Sequence, residues 1–146
     1  MLSLHLERVL SAPREIVFGM FAEPELLAQW WGPDEFTSTP VELDLRVGGR
    51  YRIEMQPPEG ESFVLAGEFR IVDPPTRLVY TFRWEPPDVD DRETVVVLSF
   101  RNRGGSTVLT VDQQQFANEA RLVLHEQGWS DSVKHLQALL AGRGRS

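Results

Sequence analysis

Between residues 36 and 115 apolar side chains alternate with polar ones, the two-residue period of half-buried strands. Tyr51, Ile53 and Met55 alternate with Arg50, Arg52 and Glu54. Leu78, Tyr80, Phe82 and Trp84 alternate with Val79, Thr81 and Arg83. Leu65, Phe69 and Ile71 share one parity, with Gly67 among them. Residues 94–100, which include Leu98, are mostly apolar on both parities, and this predicts a strand covered on both faces. Leu109 and Val111 lead on to Gln113 and Gln115 on one parity. Short Pro/Gly clusters at 47–49, 57–61, 73–76, 85–88 and 102–105 separate these runs as turns. Turns so short join only antiparallel neighbours, so the stretch predicts a meander of about six strands. An earlier strand, over about 2–10, carries Leu4, Leu6 and Leu10 on one face.

Helical signals flank the meander. Pro13 at a first helical position, with Glu15 in the first turn, opens one helix with Ile16, Val17 and Met20 as its apolar stripe. Glu23-Pro24-Glu25 opens a second, short helix running to about Trp30. Near the C-terminus Leu122, His125, Trp129, Val133, Leu136 and Leu140 recur every three or four residues, the face of a long helix. Asn118 suits its cap and Gly142 its end. Gly128 inside it costs about 1 kcal/mol relative to Ala, which predicts that another segment approaches the backbone there. The order is strand, two short helices, six strands, long helix. It predicts one α+β domain over residues 1–146, a curved antiparallel sheet of about seven strands wrapped on the long helix. A bent sheet closing on a helix leaves space between them.

Composition narrows the function. The 146 residues are 41% hydrophobic and 25% charged, enough for one core without staples. There is no cysteine, which excludes disulfides, thiolate metal sites and Cys nucleophiles. A net charge of −7 argues against nucleic acid or an anionic membrane as the main partner. No apolar run nears the roughly 18 residues of a membrane span, so no membrane insertion is expected. Residues 1–8 lack the basic and apolar regions of a signal peptide, so a cytoplasmic protein is expected.

The aromatic set is the main candidate for a binding wall. Tyr51, Phe69, Tyr80, Phe82 and Trp84 share the inward parity with Ile53, Met55 and Leu98, and Trp129 faces them from the helix. Trp30 and Phe36 close one end. Ligand cavities are mostly apolar and aromatic with a few polar groups; the same residues also read as plain core. His125, one turn before Trp129, is placed to hydrogen-bond a ligand or act as a general base, with Gln113, Gln115 or Tyr80 as partner, or to serve structure alone. His5 and His135 fall off the apolar faces and read as solvated. Three scattered histidines make no zinc spacing, so neither metal nor cofactor is expected. Arg8 shares parity with Leu4, Leu6 and Leu10; turned inward it would meet a ligand carboxylate, and at a strand end it reaches water. The acidic residues Glu85, Asp88, Asp90, Asp91 and Glu93 lack calcium-loop spacing and read as a solvated hairpin tip that can gate a cavity mouth beyond Trp84. Gly48-Gly49 is a hairpin turn without phosphate-loop spacing. Ser106-Thr107 and Ser130 lack a nucleophile-elbow context.

A family resemblance joins these observations. Ala12-Pro13 with Val17-Phe18 resembles the opening of an SRPBCC (START-like, helix-grip) domain. Leu27-Ala28-Gln29-Trp30-Trp31-Gly32-Pro33, followed by residues 41–51 (Val41 to Tyr51), resembles the group related to the activator of Hsp90 ATPase, the Aha1 C-terminal-domain-like family. Gly67, the run Val72-Asp73-Pro74-Pro75-Thr76-Arg77-Leu78-Val79-Tyr80-Thr81-Phe82, and Gly128-Trp129 before Val133 and Leu136 fit the same pattern. The resemblance implies a helix-grip fold with an elongated apolar cavity between sheet and C-terminal helix. Relatives often carry a His near the position of Gln113, so no acid/base role passes to that glutamine. The expected function is binding of a small hydrophobic or amphipathic ligand. The alternatives are a stress-response co-chaperone meeting an Hsp90-type chaperone, and third a cyclase- or hydrolase-type enzyme. A homodimer through a sheet edge or helix is compatible with the pattern.

Overall fold

The computed structural model describes residues 2–87 and 91–143. The chain forms β1 (Ser3–Leu10), α1 (Arg14–Ala22), α2 (Pro24–Leu27), β2 (Thr37–Leu43), β3 (Arg50–Gln56), β4 (Phe63–Asp73), β5 (Arg77–Glu85), β6 (Thr94–Arg103), β7 (Ser106–Gln114) and α3 (Glu119–Arg143). All neighbouring strands pair antiparallel in the order β1-β7-β6-β5-β4-β3-β2. The meander thus carries β1 back beside β7, and the curved sheet lies on α3 in an α+β helix-grip arrangement. Among the described residues no helix is long and apolar enough to cross a membrane.

Local chemistry explains the turns and the bend. Gly104 and Gly105 both have positive φ, which a two-residue hairpin loop needs between the paired Arg103 and Ser106. Gly67 pairs with Tyr51 across β3 and β4. A Cβ at Gly67 would overlap the Thr81 carbonyl and meet the Tyr51 ring at 2.8 Å. Tyr51 lies over this glycine and donates its hydroxyl to the Thr81 oxygen at 2.6 Å. The Thr81 hydroxyl in turn accepts the Glu68 N–H at 2.9 Å. Side chains thus satisfy backbone groups where the sheet bends.

Several expectations change. β6 is covered on one face only: Thr94, Val96, Leu98 and Phe100 are buried, while Val95, Val97 and Ser99 are half-buried. The helices pack on a single side of the sheet, so the second parity gains no cover. In β4 the register shifts between Phe69 and Ile71. That extra residue turns Ile71 away and brings Val72 against the core. In α1 Ile16 is 43% exposed, and Phe18 and Phe21 join Val17 and Met20 in the buried stripe. Pro13 is the N-cap of α1, not its first helical residue. α2 ends at Leu27, and the chain tightens into i→i−3 turns through Trp30. Asn118 does cap α3, its Oδ1 accepting the Arg121 N–H at 2.9 Å. Gly142 lies within the last turn of α3 instead of ending it.

Candidate functional site

The segment between α2 and β2 is fastened to α3 by hydrogen bonds. Ser132 accepts the Gly32 N–H at 3.0 Å and donates to the Gly128 carbonyl at 2.8 Å. Ser38 donates to the Trp31 carbonyl at 2.7 Å. Gly32 has φ +110°, a conformation that favours glycine. These ties join the segment to α3 on one side and to β2 on the other, and a hollow of about 160 Å³ remains beside it. Trp31, Gly32, Pro33 and Phe36 form one wall; Met55, Phe63, Phe82 and Trp84 form the sheet side; Leu124, His125, Gly128, Trp129 and Ser132 form the helix side. Leu124, at 59% exposure, stands where the hollow meets solvent.

A second hollow of about 30 Å³ lies deeper, among Phe21, Leu27, Trp31, Leu43, Tyr51, Ile53, Leu65, Phe69, Leu78 and Tyr80. Its volume is no more than that of about two water-sized spheres, and its wall is mostly apolar. Trp31 borders both hollows. Its ring meets the Trp129 ring edge-on at 4.9 Å and the Trp30 ring at 5.7 Å.

The aromatic and apolar residues expected to line one cavity therefore divide. Phe36, Met55, Phe82, Trp84, His125 and Trp129 border the larger hollow. Tyr51, Ile53, Phe69 and Tyr80 surround the smaller one. Burial pushes both phenols well above their ordinary titration range, so both stay neutral. Trp30, Leu98 and Gln113 border neither hollow. Trp30 is buried, donating its indole N–H to the Met20 carbonyl at 3.0 Å and meeting Phe21 edge-on. Leu98 is fully buried in the core. Gln113 is buried behind the wall: its Oε1 accepts the Trp129 indole N–H at 2.8 Å, and its Nε2 donates to Thr94 Oγ1 at 2.7 Å. It orients Trp129 and has no polar end left for a ligand.

His125 finds a different partner from those expected. The Trp84 indole donates to His125 Nε2 at 2.9 Å, and His125 Nδ1 donates to the Arg121 carbonyl at 2.8 Å. Gln115 is exposed and Tyr80 borders the deeper hollow. Burial lowers the His125 pKa below its ordinary value, against the Arg121 carbonyl and the Asp91 carboxylate, which raise it. The ring is the neutral Nδ1–H tautomer with both nitrogens engaged. It fixes Trp84 in the wall and has no free lone pair for proton transfer.

The polar residues outside the hollow fall as follows. Asp91 is not solvated: its side chain is 8% exposed and pairs with Arg121 at 3.4 Å, because the start of α3 folds over it. Glu85 and Glu93 flank Arg83 at 3.0 and 4.0 Å. Asp88 and Asp90 lie outside the described residues. Arg8 is exposed and donates to the Glu7 carbonyl. His5 is exposed beside Asp112, its cross-strand neighbour, at 2.6 Å. His135 is half-buried, its ring between the Trp30 carbonyl at 3.2 Å and the Asp34 carboxylate at 2.6 Å.

Gly128 overturns its expectation. Nothing lies within 4 Å of a Cβ built there, so no segment presses on the backbone. The glycine borders the larger hollow and leaves room in it. Seven wall residues escaped the sequence reading: Trp31, Gly32, Pro33, Phe63, Leu124, Gly128 and Ser132. Phe63 shares strand parity with Leu65 and Phe69, a usable signal. Leu124 and Gly128 lie one helical turn apart, and Ser132 one turn further.

The comparisons extend over the same elements. The family model described as "Activator of Hsp90 ATPase homolog 1-like protein" matches residues 11–141. No sequence among the curated proteins matches. Protein CV1439 from Chromobacterium violaceum is 29% identical, with a TM-score of 0.83 over 96% of this chain and 98% of that one. Protein NE0264 from Nitrosomonas europaea is 29% identical, with a TM-score of 0.82 over 99% and 97%. The AHSA1 protein SPO3351 from Silicibacter pomeroyi is 28% identical, with a TM-score of 0.83 over 97% and 99%. With the model matched from α1 through nearly all of α3 and solved structures superposing end to end, the chain belongs to the activator of Hsp90 ATPase homolog 1-like family.

Proposed function

We propose that the protein binds a small apolar molecule in the larger hollow between sheet and α3. One observation carries this reading: a ring-lined space of about 160 Å³ that the protein's own side chains leave unfilled. Its size is close to that of an engineered apolar cavity of about 150 Å³ that takes up benzene. A packed interior has few voids larger than a water molecule, so one this size at a helix–sheet junction is a candidate binding site. Five hydrogen bonds hold polar groups of its wall: Trp84 to His125, His125 to Arg121, Trp129 to Gln113, Gly32 to Ser132, and Ser132 to Gly128. With these groups engaged, binding draws on apolar burial at about 25 cal/mol per Å².

Toluene titration followed by the indole N–H resonances tests the reading. Saturable shifts at Trp84 and Trp129, with a Kd on the order of 0.1–1 mM for a one-ring ligand, are expected. Shifts that never saturate, or that spread over the outer sheet face and leave these two indoles unmoved, would refute it.

A further inference from the structure

Four tryptophans are present, and three have a hydrogen-bonded indole: Trp30 to Met20, Trp84 to His125 and Trp129 to Gln113. The fourth, Trp31, is only 8% exposed, and its buried Nε1–H has no partner. Among the described residues only the Arg14 Nε shares that condition. Buried donors are almost always paired, so an orphan one marks a place where an acceptor arrives. Among the described residues Trp31 is also the one side chain bordering both hollows. Its ring is packed edge-on against Trp30 and Trp129, and because its N–H is unpaired a shift of the ring breaks no indole hydrogen bond. The Nε1 atom is itself covered here, so an acceptor engages it as the ring shifts toward a hollow.

The remaining wall restricts what that acceptor belongs to. Among the described residues no Asp, Glu, Lys or Arg borders the larger hollow, and His125 is neutral with both nitrogens engaged. A charged occupant would be desolvated without compensation. Ser132 both donates and accepts within the protein. Among the described residues the Trp31 N–H is thus the one buried donor of the wall left without a partner.

We propose that the occupant is an uncharged molecule of about one ring carrying a carbonyl-type oxygen, which accepts a hydrogen bond from Trp31 Nε1. This inference rests on the hollow being a binding site and adds the chemical class of its ligand. Trp31 is then the residue that separates ketones, aldehydes or esters from hydrocarbons of equal shape.

Acetophenone and α-methylstyrene form the test pair, since they differ in C=O against C=CH2 and little in shape. Affinities for both are measured by calorimetry on the wild type and on Trp31→Phe, which keeps a ring and removes the N–H. The variant should weaken acetophenone relative to α-methylstyrene by about three- to tenfold, the worth of one neutral hydrogen bond. In the wild type the Trp31 indole proton should move downfield with acetophenone and not with α-methylstyrene. That resonance decides the matter alone if Trp31→Phe fails to fold. Equal changes in both affinities, or an indole proton indifferent to acetophenone, overturn the inference while the hollow remains a binding site. If neither compound binds the wild type, the inference and the proposed function fall together.

Discussion

Gly128 offers the sharpest test of the hollow, because its substitution should stabilise the protein while abolishing binding. A helix-interior glycine costs about 1 kcal/mol relative to Ala. With nothing within 4 Å of the added Cβ, Gly128→Ala incurs no steric cost and should recover that amount. At roughly 2–4 °C per kcal/mol for a chain of this size, the melting temperature rises by about 3 °C. Gly128→Leu adds three further carbons beside Trp84, Trp129 and Phe36, all bordering the same space. Burying even half of that side chain contributes about 1 kcal/mol more, so the rise is about 4–8 °C. The leucine occupies the volume a ligand would use, so toluene binding should disappear in a protein more stable than the wild type. The assay pairs thermal melts followed by circular dichroism with the indole titration. Gly67→Ala is the counter-control: its Cβ overlaps the Thr81 carbonyl, so the same substitution should destabilise or prevent folding. The reasoning fails if Gly128→Ala lowers the melting temperature, or if Gly128→Leu binds toluene as tightly as the wild type.

Two further outcomes follow from the buried polar groups. Gln113→Leu leaves the Trp129 N–H buried and unpaired and should cost about 1–3 kcal/mol, read as a lowered urea midpoint; an unchanged midpoint would show that the bond does not support the wall. His125 has its folded pKa below the ordinary 6.5, so the unfolded chain takes up the proton first as pH falls. Its contribution to stability is full above about pH 6.5 and declines below it, until pH passes the folded value. Denaturation midpoints between pH 8 and pH 5 should therefore fall more steeply for the wild type than for His125→Gln. His5, whose pKa Asp112 raises, acts in the opposite sense and is common to both proteins, so parallel curves would refute the assignment to His125.

The gap between pattern and structure is instructive at particular residues. Strand parity and helical period are consequences of local backbone geometry, so they are readable wherever the backbone is regular. Tyr51, Phe82 and the partly buried Trp84 face inward as their alternation requires, and Trp129, Val133, Leu136 and Leu140 form the buried face of α3. The turn at Gly104-Gly105 and the cap at Asn118 are equally local. Parity fails at Ile71 because one extra residue in β4 reverses every side chain beyond it, and nothing in the neighbouring sequence announces the bulge. β6 lacks its second cover because cover depends on where the helices lie, not on what β6 contains.

The sequence by itself determined which faces are apolar, how many strands there are, and which family the chain resembles. Only the tertiary structure decided where space remains. Trp84 and His125 are 41 residues apart in sequence, and Trp31 and Trp129 are 98 apart, so their contacts obey no short-range period. Trp31 divides an aromatic set that alternation alone presents as continuous, and Gly128 marks emptiness where propensity suggested crowding. Each side chain's direction is set by its own backbone; a void is set by all the side chains that fail to fill it, and those around the larger hollow come from three strands, a connecting segment and a helix distant along the chain.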